Sequence, residues 1–262
     1  VNATEIEEYI PSSLSVMPKG LDEKLGPAKM RDLMTFLTRP EPVIPKSAEG
    51  KRPPLRTKSE MDRLLAAVES EVSDAPLRIL LLAGPKDHDA GEHDYPAWQT
   101  RWQELLGRVR GVGVDVAHEW PSEAQFRDAQ VIVAYFWNHH WSAERYKQMD
   151  QYLARGGGLV VIHSATIADK EPEQLAQRLG IAFQPGRSKY RHGSLALNVR
   201  PVSHPIVAGL SKVEFVDESY WPMIGELSRV DVLATADEEG KPWPMIWTFE
   251  PGKGRVFGSI LG

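Results

Sequence analysis

Leu153-Ala-Arg-Gly-Gly-Gly-Leu-Val-Val-Ile-His-Ser-Ala165 decides the fold. Three glycines end a helix and turn the chain. The unbroken apolar run Leu159–Ile162 then reads as a strand buried on both faces, as in the middle of a parallel sheet. The first polar side chains after it are His163 and Ser164. In open α/β sheets ligands bind in the crevice beyond the carboxyl ends of the strands. His163 is therefore expected to end a central strand and line the largest crevice. A buried histidine satisfied by backbone partners is the competing reading.

Around this stretch strands and helices alternate. The pattern predicts strands over 78–83, 112–117, 130–135 and 159–162, with helices over 96–109, 142–154 and 172–179. Alternation at these lengths means right-handed βαβ units and a parallel sheet. The strand over 78–83 is expected beside the one carrying His163. After Gly193 the grammar changes to short strands over 195–199, 213–216, 231–236, 245–249 and 255–261, a β-rich C-terminal part that reads either as sheet-edge strands or as a β-rich elaboration.

Ahead of the sheet, residues 1–38 read as a small helical arm, with Met30, Leu33, Met34 and Leu37 on one face of a helix opened by Pro27. Residues 39–76 follow as a proline-rich linker and one helix from Ser59 to about Ser70. Residues 77–262 form the main α/β domain. The chain starts at Val1 without a signal peptide, so an upstream segment is expected to have been removed.

Composition narrows the function. The 262 residues carry a net charge of -5, which speaks against nucleic-acid or anionic-membrane partners. No apolar run approaches the roughly 20 residues that span a bilayer. With no cysteine, thiolate catalysis, thiolate metal sites and covalent haem attachment are excluded.

Four clusters could carry chemistry. The loop after the first strand places His88, His93 and Asp94 among further acids, followed by Tyr95. Imidazole with carboxylate suits a divalent metal, but the spacing fits no compact metal motif, and no metal or other cofactor is assigned. Trp137-Asn-His139-His-Trp141 has the make-up of a sugar-binding wall or of a core-plugging loop. Tyr190-Arg-His192-Gly193 is the third cluster. The fourth, Asp217-Glu218-Ser-Tyr220, puts a carboxylate where histidines opposite it would allow acid–base work. Glu218 has no basic residue within three positions, so its partner must come from elsewhere in the fold. Ser164 lacks the Gly-x-Ser-x-Gly frame of a nucleophile elbow.

Taken in order, Ala83-Gly84, His93-Asp-Tyr95, Arg155-Gly-Gly-Gly-Leu-Val-Val-Ile-His163-Ser-Ala165, His192-Gly193, Ser203-His-Pro205, Asp217-Glu-Ser-Tyr220 and Trp247 to Gly262 resemble the ThuA-like (trehalose utilisation) family. The resemblance covers about residues 77–262. It implies an α/β fold like flavodoxin and the class I glutamine amidotransferases, a parallel sheet with helices on both faces. His163 then stands where those enzymes carry a nucleophilic cysteine, so glutamine hydrolysis is excluded here. Family members usually continue past the closing Leu-Gly, so the C-terminal end is expected to be truncated. Residues 1–38 resemble the closing part of a planctomycete-type c-type cytochrome domain, with Met17-Pro18 at the axial-ligand position; without the attachment cysteines no haem is expected. That resemblance suggests an exported or periplasmic setting.

The resemblance implies a saccharide or sugar derivative as partner. His163, Glu218 and His93 are the catalytic candidates, for acid–base chemistry on a glycoside or keto-sugar. Asp94, Tyr95, Trp137, His139, His192 and Tyr220 are the substrate-binding candidates. The rival class is a carbohydrate-binding or scaffold module of a larger multidomain redox protein. Convergence of His163, His93 and Glu218 within reach of one bridging water separates the two.

Overall fold

The strand Gly158–Ile162 (β4) lies in the interior of a nine-stranded sheet, paired in parallel on both sides. The computed structural model describes residues 76–88, 92–202 and 204–262, with isolated positions 26, 27, 57, 59 and 63. The expected arm over 1–38, the linker and helix over 39–76 and the matched Ser203 thus lie outside the described residues, those isolated positions and Pro76 apart. Contacts divide the chain between Arg52 and Pro53; all that follows concerns the second unit.

The sheet contains β1 (Leu77–Ala83), β2 (Val112–His118), β3 (Val131–Tyr135), β4, β6 (Lys189–Val199), β7 (Lys212–Trp221), β9 (Asp231–Glu238), β10 (Lys241–Phe249) and β11 (Arg255–Ser259), in the order β2-β1-β3-β4-β11-β10-β9-β6-β7. The first five in that order run parallel, and the remaining pairs are antiparallel. β5 (Ile181–Ala182) and β8 (Ile224–Gly225) form a separate two-stranded ladder. The architecture is mixed α/β.

Two expectations need correction and one open choice is decided. β1 does not adjoin β4, because β3 is inserted between them. Of the two readings of the C-terminal strands, that of sheet-edge strands is the one observed, since they extend the same sheet. Two of them are also much longer than their apolar cores suggest, since β6 takes in Tyr190–Gly193 and β7 takes in Asp217–Tyr220. Polar side chains there hid the strand signal. Arg191 and Ser219 both bond the carboxylate of Glu238, and that network satisfies polar groups inside the sheet.

The helices are α1 (Tyr95–Leu106), α2 (Glu123–Asp128), α3 (Ala143–Ala154) and α4 (Pro172–Leu179). The six-residue α2, unmarked by apolar periodicity, is set by a capping box between Ser122 and Gln125. α3 is capped by Ser142, whose side chain accepts from the Arg145 amide, and it buries Tyr146, Met149, Tyr152 and Leu153. The glycines after it have distinct tasks. Gly156 takes φ +96°, a left-handed turn that other residues resist. A Cβ on Gly157 would come within 2.5 Å of the Tyr152 ring. The Tyr152 hydroxyl bonds the Gly158 carbonyl at 2.8 Å, locking helix to strand. Among the described residues no helix is long and apolar enough to cross a membrane.

Candidate functional site

β4 delivers His163 into a 3-10 turn over His163–Thr166, with φ +51° at His163. Left-handed geometry is uncommon outside glycine and is stored strain that the surroundings must hold. The holding is visible. His163 has no exposed surface, and its Nδ1 lies 2.7 Å from the Ile260 carbonyl just past β11. A carbonyl only accepts, so Nδ1 carries the proton and Nε2 presents a lone pair. The backbone-satisfied reading thus holds for Nδ1, while Nε2 faces other side chains.

Three things meet Nε2. The Tyr220 hydroxyl is 2.9 Å away and the Glu218 carboxylate 3.5 Å away, both from β7. The His93 ring, from the loop ahead of α1, sits with its centroid 4.4 Å from that of His163. One ligand atom from each of His93, His163 and Glu218 falls within 4.8 Å of the others. His93 and Glu218 are half-buried and form the open side of the site, while His163 is its floor. His88 packs against His93 at 4.3 Å and pairs with Asp87.

Burial governs the electrostatics. Desolvation pushes His163 down to about 3, so its imidazole is neutral across the ordinary pH range. His93 is lowered too, by burial first and then by the neighbouring His88. Asp217 and Glu218 are both raised, again by burial first. Tyr135, at the end of β3, is pushed up to about 12 by burial, and Tyr220 is raised further by burial and the Glu218 charge. The opposite directions have one leading cause, since burial disfavours the charged form of acid and base alike.

The other sequence candidates fall into two groups. Tyr95 has no exposed surface and its hydroxyl bonds Ser164 Oγ at 2.8 Å, so this pair supports the floor from behind. Asp94 spends its carboxylate capping α1 at the Ala97 amide. His192 lies directly across the ladder from Glu218, on the same sheet face. The rings of Trp137 and His139 pack at a tilt, centroids 4.7 Å apart, with His139 bonded to Asp169 at 2.7 Å; among the described residues no such contact joins them to the histidine–glutamate group. Two hollows lie away from His163, one in the apolar core by Leu82, Trp120 and Phe136, the other at the surface by Asp150 and Lys253. Residues that reading the sequence missed are Tyr135, Ile260 and Gly262, where an added Cβ would come within 2.7 Å of the His163 ring. Only their tertiary contacts with His163 identify them.

Comparison with known proteins places this geometry. The ThuA family, described as trehalose utilisation, matches residues 83–262. No curated protein matches. Among solved structures, a ThuA-like protein from Parabacteroides merdae is similar at 23% identity and TM-score 0.58, over 71% of this chain and 80% of that one. A second from Bacteroides uniformis aligns at 16% identity and TM-score 0.55, over 73% and 84%. A beta-galactosidase from Bacillus circulans aligns at 11% identity and TM-score 0.51, covering 71% of this chain but 28% of the enzyme. At these identities the similarities establish the fold.

Proposed function

Because this chain belongs to the ThuA family of trehalose utilisation, we propose that it binds a saccharide or sugar derivative at the mouth formed by His93 and Glu218 and transfers a proton there. The observation that carries this reading is the convergence of His93, His163 and Glu218 within 4.8 Å. A bridging water or a substrate hydroxyl fits that spacing, whereas a scaffold module has no use for it.

Glu218, with its carboxyl raised by burial, is the group suited to give and take a proton. On a glycoside it would protonate the leaving oxygen; on a keto-sugar it would remove the proton beside the carbonyl. The Tyr220 hydroxyl lies between Glu218 and the neutral Nε2 of His163, and it can turn to stabilise the carboxylate once the proton has left. His93 and His192 flank the open side and would take sugar hydroxyls. The strand order β2-β1-β3-β4-β11 supports a flavodoxin-like sheet of the class I glutamine amidotransferase type. In that frame His163, with its left-handed backbone, occupies the elbow.

The test is a thermal-shift and turnover screen against mono- and disaccharides and their 3-keto derivatives. A shift that disappears in Glu218→Gln supports the reading. A saccharide shift that survives Glu218→Gln without any turnover favours the binding module instead.

A further inference from the structure

The sequence reading assigned no metal, because the histidine-rich loop has no metal-binding spacing of its own. The tertiary structure assembles a different donor set. His93 comes from the loop before α1, His163 from the end of β4 and Glu218 from β7, all presented to one point. Two imidazoles and a carboxylate grouped on one side of a cleft are a donor set for divalent manganese, iron or zinc, with further positions left open. We propose that His93, His163 and Glu218 hold a divalent transition-metal ion at the mouth of the site.

Three observations carry this. Metal–ligand bonds of about 2.1 Å at tetrahedral angles put ligand atoms roughly 3.4 Å apart. His163 Nε2 and Glu218 Oε2 are already at 3.5 Å. His93 completes the set with an inward movement of at most about 1.5 Å, within reach of a half-buried loop side chain. Second, the tautomer is fixed in advance. The Nδ1 proton of His163 is committed to the Ile260 carbonyl, the outer contact that orients a metal-binding imidazole and leaves Nε2 free to ligate. Third, Nδ1 of His93 is buried without a hydrogen-bond partner, a cost that ligation of this ring, reorienting it, would relieve. With the ion bound, the Tyr220 hydroxyl is released from Nε2 to bond the free oxygen of Glu218, a second outer contact.

The ion would not displace the proposed proton chemistry. A water bound to it would become the proton-transferring group in place of the free carboxylate, and the open positions would accept adjacent sugar oxygens. The proposal nevertheless stands on ligand geometry alone and is tested without any saccharide.

The full 262-residue chain is stripped with chelator and dialysed separately against Mn(II), Co(II) and Zn(II), with bound metal measured by elemental analysis. The expected result is about one ion per chain, with a visible absorption band for Co(II). His93→Ala and Glu218→Gln each weaken binding at least roughly tenfold at unchanged apo melting temperature. His118→Ala, at the exposed end of β2, binds as the parent does. Absence of stoichiometric binding for all three ions, or undiminished binding in both variants, overturns the proposal. Saccharide shifts are scored separately on the chelated chain, so that either reading can fail alone.

Discussion

Tyr220 donates its hydroxyl to Nε2 of His163 over 2.9 Å. The direction is fixed 97 residues away along the chain, because the Ile260 carbonyl claims the only ring proton. Two buried groups on β4 and β7, distant in the sheet order, are thereby joined at the site floor. Their rings also stack, with centroids 4.9 Å apart.

Tyr220→Phe keeps the stack and removes the hydroxyl. The lone pair of a fully buried imidazole then goes unpaired, which costs about 1–3 kcal/mol. Urea unfolding should show a lowered midpoint at unchanged slope. An unchanged midpoint would mean that Nε2 is satisfied by something other than Tyr220.

Stability should fall with acidity. His163 is depressed to about 3 in the fold and titrates near 6.5 when unfolded, so below 6.5 the unfolded chain binds the extra proton. The parent loses up to about 1.4 kcal/mol per pH unit from roughly 6.5 downward, levelling near 3. Asp217 and Glu218, raised in the fold, oppose this by gaining stability as pH falls through their folded values. The His163 contribution is isolated by comparison with His163→Asn. Asparagine tolerates the left-handed backbone and can still donate to Ile260. Its pH profile between 7 and 4.5 should be flatter than the parent's; parallel profiles would refute the assignment.

Glu218→Gln should abolish turnover and the saccharide response while leaving the apo melting temperature unchanged or slightly raised. The upward shift of its carboxyl means that the fold disfavours the charge, so a neutral isostere removes a strain. A large drop in apo stability with ligand response intact would make Glu218 structural and withdraw it from the site.

Gly258→Ala tests the junction between parallel and antiparallel strands. Gly258 on β11 pairs with Trp247 on β10, and a Cβ there would come within 2.2 Å of the indole. Trp247 is fully buried and bonded through Nε1 to the Leu179 carbonyl, so it cannot step aside freely. The overpacking cost is about 1–3 kcal/mol, or more if the sheet must shift. Since Ile260 follows two residues later, saccharide binding should weaken along with stability. Full stability in this variant would show that the indole has room to move.

The sequence by itself determined the parallel half of the sheet and the place of His163. A buried apolar strand, a glycine turn and capped helices are local signals, written within about a dozen residues. It also singled out His93, Glu218 and Tyr220 as chemistry-bearing residues. Only the tertiary structure brings them together around His163. β6 and β7 read as short strands because their polar ends are satisfied across the sheet by Arg191, Ser219 and Glu238, partners up to 47 residues apart. The tautomer of His163 depends on a carbonyl at Ile260, and backbone carbonyls carry no residue signature. The closeness of His93 to Glu218 depends on β3 and β4 separating β1 from the C-terminal strands by a fixed width. Contacts of that kind follow from strand order, which is a property of the whole sheet rather than of any stretch of the chain.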